Sequence, residues 1–261
     1  MKKTGDTGVR YEQMLLTLLI LLPLTLIEGL WYWRTRRAYP WKEVGASVLV
    51  NIGQRLIGLA SAGFILGAST FVFDHRVTTM SMDKPIHWIA LFFCVEFAYY
   101  WFHRWSHEIR WLWTSHSVHH TPNSINFPGA TRLGWTGFVT GAWLFWLPLM
   151  WFGFPPTYVL GMLAANLVYQ FWLHTEMIPK LHPAFEWFFN SPSHHRVHHG
   201  ANIEYLDANY GGVVMIFDRM FGTFIGESTA VKIRYGLVKP QTSFNPFTIA
   251  LGEMKSTLVD V

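Results

Sequence analysis

Residues 86–120 read IHWIALFFCVEFAYYWFHRWSHEIRWLWTSHSVHH, an apolar run that ends in two closely spaced histidine motifs. The motifs are an HxxxH and an HxxHH, formed by His103, His107, His116, His119 and His120. Residues at i, i+3 and i+4 share one face of a helix, so each motif can direct its imidazoles to a common point. The stretch therefore predicts a membrane-spanning helix whose end leads into a metal site.

A second HxxHH lies in residues 190–200, NSPSHHRVHHG, and contributes His195, His198 and His199. Eight imidazoles exceed what one metal ion accepts, so the sequence predicts a site for two ions. Neutral imidazole suits zinc, iron, copper and nickel alike, which leaves the identity of the metal open. The HExxH pattern of zinc proteases is excluded, because Trp111 stands where its second histidine would be.

The apolar residues fall in long runs, in a chain of 261 residues that is 51% hydrophobic and only 14% charged. Several runs approach the ~20 residues that a helix needs to cross a bilayer. We predict an all-α, integral-membrane helical bundle of four or five spans in a single domain, 1–261. The spans are expected at about 13–33, 50–73, 85–102, 135–152 and 157–173. The first run is interpreted as a retained span because it is too long for a signal peptide and lacks a small-residue cleavage site.

The predicted topology brings the histidine motifs to one side of the membrane. The last two spans form a hairpin through residues 152–156, which returns the chain to the side of the first motifs at His174. Residues of about 174–238 are then expected to form a helical cap over the dimetal site. Because basic residues such as Arg34, Arg104 and Arg132 gather on this side, we expect it to be cytoplasmic, at the inner membrane in a bacterium. No basic stripe or recognition motif accompanies the net charge of +4, so a nucleic-acid partner is not expected.

The order of the motifs resembles the fatty acid hydroxylase/sterol desaturase superfamily of integral-membrane diiron oxidases. The resemblance covers roughly residues 85–226. The stretches that carry it most closely resemble the alkylglycerol monooxygenase branch and its bacterial sterol-desaturase-like relatives; they are residues 170–176 (QFWLHTE), 190–200, 209–212 (NYGG) and 218–224 (DRMFGTF). The resemblance implies two iron ions, dioxygen as oxidant, and hydroxylation or desaturation of a lipid taken from the bilayer: a sterol, a fatty-acyl lipid or an ether lipid.

Individual residues are assigned roles from the resemblance and from their positions in the sequence. All eight histidines of the three motifs match the ligand motifs of the family, and His174 matches its intervening histidine. His194 is adjacent to a ligand and is expected to bind the metal or to lie just behind the ligands. Glu108 is a candidate catalytic residue that would orient the His107 imidazole, although it could instead pair with Arg104 or Arg110. His182, His75 and His87 are expected to be uninvolved.

Two ionisable residues fall inside predicted spans, where burial of a charge is costly. Glu96 and Arg55 could serve the function, or could form a salt bridge between helices.

The chain has no sequence motif for an electron carrier. It lacks a G-x-G-x-x-G after a strand, a cysteine cluster and a haem-attachment sequence. We therefore expect a separate electron-transfer protein, or a reduced pterin if the ether-lipid branch is the correct one.

Two other kinds of function fit a histidine-rich membrane protein. The first is a non-enzymatic metal-handling protein, which would usually place its ligands inside the spans along a translocation path. The second is a haem-binding protein that uses paired histidines from facing helices; the excess of histidines and their close spacing argue against it.

Overall fold

The computed structural model describes residues 22–260, and within them the fold is all-helical. Residues 22–34 are helical (α1) and are followed by α2 (Trp41–Asp74), α3 (Pro85–Glu108) and α4 (Arg110–His120). Two 3₁₀ helices, Phe127–Thr131 and Ala142–Trp146, precede α5 (Leu147–Trp151) and α6 (Pro156–Phe171). The remaining helices are α7 (Pro183–Phe188), α8 (Pro192–His198), α9 (Ile216–Phe221) and α10 (Pro246–Val259). The all-α prediction is confirmed: the described residues form isolated bridges but no strand.

Two of the described helices, α2 and α3, are long and apolar enough to cross a membrane. α2 begins at Trp41 rather than near residue 50, and much of its surface exposes apolar side chains such as Leu56, Leu59 and Phe64. α6 has 16 residues and is therefore only about 24 Å long, against ~30 Å of hydrocarbon. Part of the first predicted span, 13–21, lies outside the described residues.

Residues 135–152, which were predicted as one span, do not form a continuous helix. Residues 135–141 form turns, and only the 3₁₀ helix Ala142–Trp146 and the five-residue α5 follow. Gly141 adopts a left-handed backbone with φ 82°, which ends any regular helix at that point. Apolar composition predicted a span here, but three of the large side chains pack inside the protein: Trp146, Leu149 and Met150 are buried against α3 and α6.

α3 carries the first histidines, and its two ends explain how they are placed. Pro85 occupies the first turn, where a missing N–H costs no hydrogen bond. At the other end Ile109 is extended, with φ −104° and ψ 112°, so the chain bends sharply before α4 begins. The bend turns the histidines of α4 back toward those of α3.

Buried polar contacts join the helices around this end of the molecule. Glu96 accepts hydrogen bonds from Asn166 Nδ2 on α6 at 2.5 Å and from the backbone N–H groups of Val213 and Val214 at 2.8 and 3.1 Å. Glu96 is thus bound by amide N–H groups, and not by the cation of the salt bridge that the sequence suggested. Arg55 is bound by Asn51 of its own helix, with Nε 3.0 Å from Oδ1. Residues 174–238, predicted as a helical cap, are largely irregular and contain the short helices α7, α8 and α9.

Candidate metal centre

Nine histidine rings converge where α3, α4, α6 and α8 meet. They form two groups, and within each group the ligand nitrogens all lie within 4.8 Å of one another. The first group consists of His103, His107, His116, His120 and His198, and the second of His119, His174, His195 and His199. Each motif of the HxxHH type therefore contributes to both groups.

Helical spacing explains how the motifs divide. Residues four apart on a helix differ by about 40° in direction, whereas neighbouring residues differ by about 100°. His116 and His120 are four apart and share the first group, while His119 points to the second. His195 and His199 are likewise four apart and share the second group, while His198 belongs to the first. One turn of helix thus supplies ligands to two neighbouring metal positions.

The imidazole nitrogens inside each group are very close together. In the first group Nε2 of His116 lies 3.0 Å from Nε2 of His103 and 3.2 Å from Nε2 of His120. In the second group Nε2 of His195 lies 2.8 Å from Nε2 of His174 and 3.1 Å from Nε2 of His199. Such a cluster of nitrogens, buried away from water, is the arrangement that a shared cation stabilises.

Backbone carbonyls fix the orientation of four of these rings. Carbonyl oxygens accept from Nδ1 of His103, His174, His198 and His119, at 2.8, 2.9, 2.9 and 3.3 Å. A carbonyl oxygen can only accept a hydrogen bond, so Nδ1 must carry the proton in each ring. The neutral ring then directs the lone pair of Nε2 into the group, as metal-binding histidines do.

The residues fit metal ions in both groups. Nε2 of His107 and Nε2 of His198 are buried without a hydrogen-bond partner, which is costly unless a cation occupies the space. Burial lowers the pKa of His119 to about 4 and the pKa of His195 well below its usual range. These imidazoles are therefore neutral at physiological pH and ready to bind a metal. All-nitrogen ligands fit iron and equally the other divalent metals that imidazole prefers.

The carboxylate that faces the outer nitrogen of His107 is Asp207, not Glu108. Asp207 Oδ1 lies 3.6 Å from His107 Nδ1. Glu108, the candidate catalytic residue, instead accepts a hydrogen bond from Arg104 Nε at 2.8 Å, four residues earlier on the same helix. This is the pairing considered as the alternative from the sequence.

His194, the tenth predicted ligand, belongs to neither group. Its ring packs on Phe224, and its Nε2 lies 3.9 Å from Glu186 Oε2. His194 is next to His195 on α8 and so projects about 100° away from it. Three histidines were expected to be uninvolved, and none of them belongs to a group. His182 caps α7, while His75 at the end of α2 and His87 near the start of α3 form hydrogen bonds with backbone carbonyls.

The family model described as "Fatty acid hydroxylase" matches residues 88–223, more than half of the chain, and this segment includes all nine grouped histidines. The chain belongs to the fatty acid hydroxylase family.

Among the similar proteins of known function are two vertebrate alkylglycerol monooxygenases. The one from Xenopus tropicalis is 38% identical over 208 residues, covering 78% of this chain, and the human one is 37% identical over 231 residues, covering 87%. An ornithine lipid hydroxylase from Rhizobium tropici is 24% identical over 198 residues, 74% of this chain and 59% of its own. The chain spans about half the length of the first two relatives, 45% and 51%. No solved structure matches it.

Two cavities of very different size reach the histidine groups. A cavity of about 610 Å³ touches His107, His120 and His198 of the first group, and its outer wall is formed by residues 236–242 and by α10. A cavity of about 10 Å³ touches His119, His174 and His199 of the second group. Of these two cavities, the one beside the first group is the one with room for a molecule larger than water.

Tyr210 lies beside the first group and was not singled out from the sequence. Its ring is 5.2 Å from that of His107, and its hydroxyl is buried without a hydrogen-bond partner. Its backbone is fixed on both sides, because its carbonyl orients His103 and its N–H donates to Asp218 Oδ1 at 2.7 Å. Burial raises the pKa of Asp218 to about 6, although the hydrogen bonds that it accepts act to lower this pKa. The sequence did contain a signal for this region: the NYGG stretch at 209–212 supported the family resemblance, but it assigned no role to Tyr210.

Proposed function

We propose that the chain is a membrane-bound, dioxygen-dependent oxidoreductase with two iron ions that hydroxylates a lipid. The observation that carries the proposal is the pair of buried histidine groups, one of which opens into a cavity of about 610 Å³. Hydroxylation is favoured over desaturation, because the relatives are named as an alkylglycerol monooxygenase and an ornithine lipid hydroxylase. A sterol is the less favoured substrate, since the proteins named after cholesterol hydroxylation match only 42% of the chain.

The residues of the chain would hold and orient the reactants. The nine grouped histidines would bind the metal, and the carbonyls behind four of them fix the direction of their lone pairs. Bound iron would supply the redox chemistry that activates dioxygen. Trp113 and Leu206 give the larger cavity an apolar side next to His107, where a lipid carbon can approach the first group. Burial of the second group excludes bulk water from that side of the site.

The reaction needs electrons from outside the chain. Inserting one oxygen atom of dioxygen into a C–H bond, while the other becomes water, consumes a pair of electrons and a pair of protons. We propose that a separate electron-transfer protein or a reduced pterin supplies them, and that the metal site faces the cytoplasm of a multi-pass membrane protein. A metal-handling protein is less well supported, because the histidine groups gather at one end of α3 rather than along the spans.

Metal analysis of the detergent-purified chain tests the two-metal site. We expect close to two iron ions per chain, one for each histidine group. His198→Ala should lose the metal of the first group and His195→Ala that of the second. His194→Gln is the matched control and should keep both, because its ring lies outside the groups. A Soret band in the optical spectrum, or equal metal loss in all three variants, would contradict the assignment.

The lipid reaction is tested separately. Membranes that contain the chain are supplied with an alkylglycerol, an ornithine lipid or a sterol, isotopically labelled dioxygen and a reductant. One labelled oxygen atom should enter one of these lipids, and His198→Ala should abolish the incorporation. Loss of two hydrogens without added oxygen would instead identify a desaturase. An unchanged lipid pool would refute the proposal.

A further inference from the structure

α10 presents two opposite sides to two different environments. Phe247, Leu251 and Leu258 are exposed by 63, 40 and 62%, and at about 100° per residue they point within about 40° of one another. Gly252 and Glu253, which project roughly 140–240° from Phe247, line the large cavity. The helix is thus the wall between an apolar outer surface and the space beside the first histidine group.

α10 is joined to α2 by apolar packing and by one bridging side chain. Ile249 packs in a buried cluster with Ala46 and Val50 of α2. Trp135 bridges the same two helices: its ring meets that of Phe247 edge-on at 5.2 Å, and its Nε1 donates to Val50 O at 2.8 Å. α10 therefore lies alongside the N-terminal part of α2.

This is also where α2 begins to expose apolar side chains to its surroundings. Val48, Leu49 and Ile52 are exposed by 48, 51 and 50%. If α2 crosses a bilayer, the outer side of α10 is at the level where that crossing begins. Lys255 lies next to the apolar row, and Lys42 lies near the ring of Phe244 just before α10, so both ammonium groups could reach lipid phosphates.

We propose that α10 is an interfacial helix, which lies in the surface of a phospholipid bilayer with Phe247, Leu251 and Leu258 among the lipid chains. The cavity on its other side is then held at the membrane surface, where the head group of a lipid can enter it. α10 lies outside the segment that the family model matches, 88–223, so this wall is a feature of the chain beyond the shared histidine site. The entry of a lipid substrate rests on the proposed function, whereas the position of α10 does not.

The position of α10 can be measured with single nitroxide labels in the full chain, reconstituted in vesicles of phosphatidylcholine and phosphatidylglycerol. A Cys94→Ala background removes the one native thiol, and its metal content must equal that of the unaltered chain. Labels are attached at Leu251→Cys and Leu258→Cys on the apolar side. Ser256→Cys is the matched control, exposed on the same helix but about 180° from Phe247. Leu59→Cys, on the exposed surface of α2, marks the bilayer.

Labels in lipid collide with dioxygen, and labels in water collide with a soluble nickel chelate. We expect the labels at Leu251 and Leu258 to resemble the label at Leu59, with nickel collisions several-fold rarer than at Ser256. Nickel access at Leu251 equal to that at Ser256 would overturn the proposal. So would shielding from both reagents, which would mean that a second copy or another protein covers the row. A lipid-exposed Leu59 with a water-exposed Leu251 would refute the position of α10 alone and leave membrane insertion and the proposed activity standing.

Discussion

At the scale of single residues, sequence proximity misidentified the carboxylate behind His107. Glu108 is the next residue on α3, so its side chain points about 100° away and meets Arg104 instead. Asp207 reaches His107 from a loop a hundred positions further along, where it holds a left-handed backbone with φ 57°. Nothing in the spacing or composition of the sequence shows that this loop returns to α3, so Asp207 could not be predicted.

Replacing Asp207 by Asn should weaken the metal in the first group. Asparagine tolerates a left-handed backbone, so the loop keeps its shape, but His107 loses a charged acceptor and becomes a poorer ligand. Since the Asp207 side chain is 66% exposed and 3.6 Å away, we expect the lower end of such effects, about a tenfold loss of metal affinity. Competition with a chelator measures it. Glu204→Gln is the control, an exposed carboxylate on the same loop; equal affinities in the two variants would remove Asp207 from the site.

At the scale of elements, the segment 135–152 shows what apolar composition cannot distinguish. Its apolar run predicted a membrane span, yet Trp135 inserts between α2 and α10. The insertion requires Gly53, because a Cβ there would lie 2.3 Å from Trp135 Cζ2. Gly134 is equally constrained, since its Cβ would lie 2.2 Å from Ser115 O on α4. Close approaches of this kind depend on partners distant in the chain, and a hydropathy pattern does not record them.

Gly53→Ala should therefore destabilise the contact between α2 and α10. Alanine normally favours a helix over glycine by roughly 0.5–1 kcal/mol. Here the added methyl must displace the Trp135 ring, and overpacking of this kind costs about 1–3 kcal/mol. We expect a lower unfolding temperature in detergent. Gly58→Ala on the same helix meets no atom within 4 Å and should be neutral or slightly stabilising. If both variants unfold at the same temperature as the unaltered chain, Trp135 does not hold these helices together.

At the scale of the whole molecule, the histidine pattern predicted more than the span count did. Every histidine in the two groups was among the ten predicted. Eight of them lie at spacings of three and four residues on a helix, which need only local geometry, and His174 came from the family resemblance. The division between the groups could also have been predicted, since pairs four apart stay together. The number of spans depends on where the chain reverses direction. Residues 135–152 form turns and two short helices instead of one long helix, because part of the segment packs against other helices.

The buried histidines should also make the stability of the metal-free protein depend on pH. Burial lowers the pKa of His119 to about 4. It also lowers the pKa of six other grouped histidines well below the usual value; these are His116, His120, His174, His195, His198 and His199. In the unfolded chain a histidine has a pKa of about 6.5. Below that pH the unfolded state takes up protons that the folded state does not. The contribution of these histidines to the free energy of unfolding is therefore fully present above about pH 6.5 and is lost as the pH falls toward 4.

Thermal unfolding of the chelator-treated chain in detergent, followed from pH 8 to pH 4, should show this loss. The unfolding temperature is expected to stay level above about pH 6.5 and to fall steeply below it. Asp218 acts in the opposite direction, because its pKa is raised to about 6 and it gains a proton in the folded state first, but it is one group against several histidines. The metal-loaded chain should keep its unfolding temperature to lower pH, since protons must first displace the metal. His182→Gln removes an exposed histidine outside the groups and should leave the pH dependence of both curves unchanged, even if the loss of the α7 cap shifts them as a whole. A level curve for the metal-free chain down to about pH 5 would mean that the grouped imidazoles are not buried.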